Sequence, residues 1–444
     1  MTIVVRHLLA EARALRTRLA RLKPFALTAP TVVAAAAAPA AQRAIEMLLA
    51  RGRRKINRLV AEFIDHVRSS GNRGDPQALQ ARLAVLKIQF NNVLSQIDIF
   101  ADAITQRSQH DVGVFLAGLD AVASDGLKLQ GVASIAAPPV LCYVDRGHGA
   151  AIRRARTRLP GGDESPVAVI RMPRERMVGS GIASSLMHEV GHQADALLGM
   201  AETIRPAVRR AAAGDQANAR SWALLDRWMG EIVADLWSVS RVGISATAGL
   251  VGVVSLPRPF VFRMDGDGPH PFPWVRVMLS ATMGEALYPD PQWRNLRQMW
   301  RTIYPPTNLG AAREQLLAGL FRTMPRFVDV LRACRPPSMQ GRRLIETLAD
   351  PQRKPSALRS LFEAWRHAPS LMRRARPSLV FAVIGQARSD ERITPERESQ
   401  LVGDLLEHWA LVSTFPDEDQ PPAVRVGPQA KPFTERRRVA AMPA

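Results

Sequence analysis

Ser184-Ser185-Leu186-Met187-His188-Glu189-Val190-Gly191-His192-Gln193-Ala194-Asp195 carries two histidines four residues apart, with a glutamate directly after the first. An α-helix turns by about 100° per residue, so His188 and His192 project from one face, one turn apart. That spacing suits the grip of a single cation. Glu189 stands beside them, placed to take a proton from the water that such a cation activates. The HExxH pattern alone recurs by chance, sometimes as a helix with a buried ion pair, and its surroundings decide its meaning. Upstream, Pro166-Val167-Ala168-Val169-Ile170-Arg171-Met172 alternates and is β-branched, so it reads as a strand, closed by Pro173. Gly179, Ser180, Gly181 and Ser184 supply a turn and N-cap candidates, and Gly199 suits a C′ stop after Leu198. A strand feeding a metal-binding helix is the context the motif requires.

A tetrahedral catalytic zinc needs a third protein ligand and keeps its fourth position open. Gly230-Glu231-Ile232-Val233-Ala234-Asp235-Leu236-Trp237 offers it: Glu231 and Asp235 are again four apart and share a helical face. Glu231 can complete the site. Asp235 can accept the second ring N–H of one histidine and so select its tautomer, although a carboxylate on a solvated face is the competing reading.

HExxH followed on a later helix by ExxAD resembles the gluzincin metallopeptidases, in which the later glutamate is the third ligand and the aspartate supports a ligand. Pro269-His270-Pro271-Phe272-Pro273-Trp274-Val275-Arg276-Val277 resembles the HP…R segment of the peptidase family that includes the heat-shock protease and the CAAX prenyl protease. The resemblance covers Val167 to Val277, about a quarter of the chain. It implies Zn2+ as cofactor, a peptide or protein substrate, Glu189 as general base, His270 as a hydrogen-bond donor to the tetrahedral intermediate, and Arg276 as an anchor of site or substrate. It implies a zincin-like core too, with a small sheet whose edge strand runs beside the site helix. The chain departs from that family in having no apolar span near the motif long enough to cross a membrane. The metzincin pattern fails on residues, because Asp195 and Leu198 stand where it needs glycine and histidine.

Some readings stay open. His270, among glycines and prolines, reads equally as a loop residue. Asp195 reads as another acid outside the ligands or as a helix-surface carboxylate. His148, between two glycines, reads as a loop filler. Asp265-Gly266-Asp267-Gly268 lacks the rest of a calcium loop and reads as a turn. A zincin-like domain without activity, acting as an adaptor through helical flanks, is the alternative to a peptidase, and the intact Glu189 argues against it.

The 444 residues, 47 % of them hydrophobic, allow two or three domains. The formal charge of +20 rests mainly on arginine and predicts non-specific attraction to anionic surfaces. No zinc finger, aromatic-rich strand motif or helix-turn-helix supports specific nucleic-acid recognition. Cys142 and Cys334 make no disulfide framework. The pattern predicts an α+β, mostly helical chain: an N-terminal helical region over 1–135, the zincin-like core over 136–290, a C-terminal helical domain over 291–412, and a disordered tail over 413–444. Met1 to Lys23 reads as an amphipathic basic helix, a bundle face or a docking surface for a partner helix. Helices are expected over Ala41–Val67, from Pro76 to about Thr105 behind an Asp75 cap, and over Val112–Val122; strands over Val140–Val144 and Val167–Met172; a loop or cleft wall over Gly243–Phe262. With no signal or transmembrane segment in view, the expected location is the cytoplasm, with export by an unconventional route left open.

Overall fold

The 3.6-residue period of the first third becomes four helices: α1 Ile3–Arg21, α2 Pro39–Ser70, α3 Pro76–Thr105 and α4 His110–Gly126. The computed structural model describes residues 2–29, 31–129, 136–147, 149–174, 179–264 and 267–414. His148, Asp265 and Gly266 of the expected turn, and the tail from 415 onward lie outside them. Asp75 caps α3 as expected, its carboxylate accepting from the N–H groups of Gln77 (3.0 Å) and Ala78 (3.3 Å) with Pro76 at the first position. The basic helix α1 is a bundle face: Val5, Leu8, Leu9, Ala12, Leu15 and Leu19 are buried against α2 and α3. The alanine run does not form an α-helix. It makes a 3-10 turn at Val33–Ala35, and the next helix waits until Pro39, because a proline disfavours helical backbone in the residue before it.

The sheet has three strands, β1 Val140–Asp145, β2 Ala151–Arg153 and β3 Ala168–Pro173, in the order β1-β3-β2. β1 runs parallel to β3 from Val140↔Ala168 to Asp145↔Pro173, and β2 is antiparallel to β3. Buried on both faces over much of its length, β3 carries the apolar Ala-Val-Ile run expected of a central strand. β2 falls at the start of the arginine-rich stretch around Arg153 to Arg158, where the sequence carries no strand signal. Three residues show no periodicity, and the free edge of β3 makes the strand.

Around this sheet lie α5 Gly181–Leu198, α6 Met200–Ala213, α7 Ala219–Arg227, α8 Met229–Val242, α9 Ile244–Val254 and α10 Pro273–Leu287. α9 corrects the loop expected over Gly243–Phe262. Its small and β-branched residues favour helix weakly, but packing against α5 and α10 overrides propensity. Then follow α11 Pro291–Ile303, α12 Ala311–Ala333, α13 Pro355–His367, α14 Pro377–Ser389 and α15 Pro395–Thr414. Several of the prolines that punctuate this region open helices, where a missing N–H costs nothing. α15 also carries helix into residues 413 and 414 of the expected tail. The whole is the mostly helical α+β fold with one small sheet. Among the described residues no helix is long and apolar enough to cross a membrane.

One apolar core runs from Leu116 to Trp409, taking in α4, the sheet, α5 and the C-terminal helices. Residues on either side of 135 and of 290 therefore share it. α14 is buried almost throughout, and α15 packs on α4. Asp125 at the end of α4 clasps this junction, accepting from Arg376 Nε at 3.1 Å and from the Ser378 N–H at 3.1 Å. Burial alone raises its pKa, but Arg376 and Ser378 overcome that and hold it below the ordinary carboxylate value. A depressed folded-state pKa adds stability that is present above the unfolded value and lost as pH falls through the folded one. Asp125→Asn is thus expected to unfold at lower urea than wild type at pH 6, with the gap narrowing as the pH is taken below about 4. A gap independent of pH would contradict the charge argument.

Candidate metal centre

The centre is built on α5 and α8, which pack against each other along their length. Gly191, inside the HExxH pentapeptide, sets how closely they approach. A Cβ there would stand 2.8 Å from both Cα and O of Ala234 and 3.0 Å from Cβ of Trp237. No side chain fits against that backbone. Gly191→Ala is expected to force the helices apart, costing roughly 1–3 kcal/mol of stability despite alanine's better helix propensity, and weakening metal binding. Thermal unfolding and zinc titration of that variant check it; a melting temperature at or above wild type would refute it.

Polar ties fix the register of the surrounding helices. Ser184 donates to the Ala246 carbonyl (2.6 Å), Ser238 to the Ser184 carbonyl (3.2 Å), and Thr247 and Ser280 share a 2.8 Å hydrogen bond between α9 and α10. Gln193 accepts from the Ala155 N–H at 2.8 Å and joins α5 to the segment after β2. The N-terminus of α5 has no cap of its own. Glu398 of α15 reaches it, accepting from the Ser180 N–H at 3.2 Å and from the Ser180 hydroxyl, a buried carboxylate at the positive end of the helix. Gly199 ends α5 in the left-handed conformation, φ 60°, as expected. Asp195 accepts from the Ala201 N–H at 2.8 Å, which settles its open reading: it caps α6.

His188, His192 and Glu231 come together, with one ligand atom from each lying within 4.8 Å of the others. His188 Nε2 is 3.2 Å from Glu231 Oε2, and His192 Nε2 is 3.4 Å from Glu231 Oε1. Donors held about 2.0–2.1 Å from a tetrahedral zinc stand about 3.3 Å apart; each histidine nitrogen lies near that distance from a Glu231 oxygen, His188 from Oε2 and His192 from Oε1. Among the described residues Glu231 Oε2 is buried without an aligned hydrogen-bond donor, although His188, His270 and Arg276 nitrogens lie 3.2–3.6 Å away, a lone pair left open to a cation. Two imidazoles and a carboxylate are also a donor set that zinc accepts, with one position left over.

Asp235 lies beneath the histidines. Its Oδ1 is 2.8 Å from His188 Nδ1, which leaves Nε2 facing Glu231. The same carboxylate takes two hydrogen bonds from Arg276, at 2.7 and 2.8 Å. Arg276 is therefore anchored on Asp235, with a guanidinium nitrogen 3.6 Å from Glu231 Oε2. His270, in the segment leading to α10, brings Nε2 to 3.4 Å from Glu231 Oε2, its side chain 60 % exposed. Phe272, edge-on to Trp228 at 4.8 Å, pins that segment to the start of α8. All seven residues singled out from the sequence thus gather in one place.

A cavity of about 160 Å³ adjoins them. His188, Glu189, His270 and Arg276 line one side, Ala246, Leu250 and Val253 of α9 another, and Gly149 and Ala150, just ahead of β2, its rim. α9 and its serine and threonine ties were the part sequence reasoning missed; the sole hint was its lack of charge.

Burial governs the electrostatics. It lifts the Glu189 pKa to about 7, with the neighbouring Glu231 adding to the rise and His188, Arg276 and Arg171 opposing it. It lowers His192 to about 4, with charge on His188 pushing the same way. His188 goes the other way, to about 9: burial and Arg276 lower it, but Asp235 and Glu231 prevail. For Glu231 burial raises and His188, Arg276 and His192 lower, leaving it at about 2. Asp235, with the same opposition between burial and Arg276 plus His188, is held well below the usual carboxylate range. The cluster is one in which positive charge is shared around two fixed carboxylates and one carboxyl is poised near neutrality.

The chain matches no protein-family model, no curated protein and no solved structure, so the site is read from its own residues and geometry.

Proposed function

We propose that the chain is a zinc-dependent peptidase of the gluzincin kind, with His188, His192 and Glu231 as metal ligands and a peptide or protein as substrate. The observation that carries this reading is the convergence of those three side chains from two helices, with one ligand atom of each within 4.8 Å of the others. Zinc, when bound, supplies a Lewis acid that polarises a carbonyl and lowers the pKa of water toward about 7.

The chain's own groups do the rest. Glu189, buried and lining the cavity with a pKa of about 7, accepts the proton of the attacking water and returns it to the leaving amine. His270 at the cavity's rim donates to the oxygen on which negative charge develops. Asp235 orients His188 and, with Arg276, keeps it in place. β2 is an outer strand of the sheet, and Gly149 and Ala150 just ahead of it line the cavity, so its edge is one along which an extended substrate can pair.

Elemental analysis of protein expressed with zinc tests the ligand set. Wild type is expected to retain about one zinc per chain, and Glu231→Ala to lose it, because removing a ligand exceeds the roughly 10–100-fold that outer partners are worth. A wild-type protein without zinc would overturn the proposal and bring the adaptor reading forward.

A further inference from the structure

Away from the metal centre, a cleft of about 570 Å³ opens between α4, α15, the start of α2 and the turn ahead of α14. That volume lies in the range of small-molecule sites, roughly 300–1,000 Å³. Part of its wall is small and apolar, with Ala117 and Ala121 of α4 beside Trp409 of α15.

Its charged groups divide into two kinds. The acids are committed elsewhere: Asp120 pairs with buried Arg107 at 3.1 Å, and Asp125 with Arg376 and Ser378. Lys128, Arg373 and Arg374 are exposed at the rim, and among the described residues none of them makes an ion pair. Three exposed cations on one concave surface, with no ion-pair partner among the described residues, raise the local potential for anions.

Two further donors lack acceptors. Among the described residues the indole N–H of Trp409, a residue only 5 % exposed, has no partner, and neither has Arg376 Nη2. Both residues line the cleft. A buried N–H without an acceptor costs about 1–3 kcal/mol, so the pair marks a place where an acceptor is missing.

The cleft also receives the N-terminus of α2, 32 residues long. Ala38 at its N-cap gives no side-chain hydrogen bond, Pro39 follows, and the first turn has no acidic residue. Such an end presents free N–H groups and positive potential.

We propose that this cleft binds a small phosphate-bearing ligand. The phosphate is held by Arg373, Arg374, Lys128 and the α2 N-terminus, and the organic part lies on Ala117, Ala121 and Trp409. A tetrahedral dianion suits two guanidinium forks and a helix end better than a monocarboxylate does, because it offers more acceptors and more charge. The proposal is independent of the metal centre.

Calorimetric titration of the full chain with inorganic phosphate and, in parallel, phenyl phosphate tests it. Saturable binding is expected, weakened about tenfold or more in Arg373→Gln/Arg374→Gln, since each charge-assisted hydrogen bond is worth about 1.5–3 kcal/mol. Both arginines are exposed, and circular dichroism verifies that the variant folds. Tighter binding of phenyl phosphate than of inorganic phosphate supports the apolar wall as part of the site; equal binding would overturn the placement of an organic part on Ala117, Ala121 and Trp409. Trp409→Phe keeps a ring and removes the N–H, and is expected to weaken binding too. The absence of saturable binding in wild type, or equal binding by wild type and the double variant, would overturn the inference.

Discussion

Glu189→Gln is expected to keep about one zinc per chain while losing about 10²–10⁴-fold in peptide-bond turnover, the range that general acid–base groups contribute. The amide has the size of the carboxylate but cannot accept a proton. Its effect on folding is expected to be small, because a buried carboxyl with a pKa of about 7 is already substantially neutral near that pH. Glu189 is not one of the three groups that converge as ligands, so the metal should remain. Loss of cleavage of a mixed peptide library with zinc retained therefore separates the base from the ligands. Cleavage as fast as wild type would remove Glu189 from the proposed chemistry, and loss of zinc would make it part of the metal's support.

Asp235→Ala is expected to cost about 3–5 kcal/mol of stability in the metal-free protein and about 10–100-fold in zinc affinity. Asp235 is buried and carries two obligations, the His188 ring at 2.8 Å and both hydrogen bonds from Arg276. Its removal leaves a largely buried guanidinium against the His188 ring, with only the longer 3.6 Å approach to Glu231 to offset its charge. Arg276 is held so firmly by its carboxylate that its pKa rises above the ordinary arginine value: burial opposes the charge, but Asp235 prevails. The double variant Asp235→Leu/Arg276→Leu removes the stranded charge along with its partner. It should recover much of the stability while leaving zinc affinity weak. Urea unfolding and zinc competition read the two quantities separately. A single variant that costs less than about 1 kcal/mol would show that Arg276 is solvated or otherwise paired.

Much of the site was legible because its spacing is helical. His188 and His192, and Glu231 and Asp235, each recur at four residues, and a helix converts that interval into a shared face whatever surrounds it. Caps were legible for the same local reason: Asp75 before Pro76, and Gly199 after Leu198, act within one turn. β2 was not, because three residues cannot display a period and the strand exists through β3. Nor was α9, whose Ile-Ser-Ala-Thr-Ala-Gly composition is read correctly only when α5 and α10 are in place. Asp195 shows the limit within the motif helix itself. Its spacing leaves it as an acid outside the ligands or a helix-surface carboxylate, and its carboxylate serves the backbone six residues on.

The sequence by itself determined the two helices of the candidate centre, strands β1 and β3, and the chemical types brought together there. Those follow from periodicity and local capping, which act over a few residues. Tertiary structure decided the rest: that Gly191 lets α5 and α8 come close enough for Glu231 to meet both histidines, and that Asp235 is shared between His188 and Arg276. It also decided that Glu398, more than two hundred residues away, caps the motif helix. These depend on distances between segments far apart in the chain, which packing sets and no local pattern records.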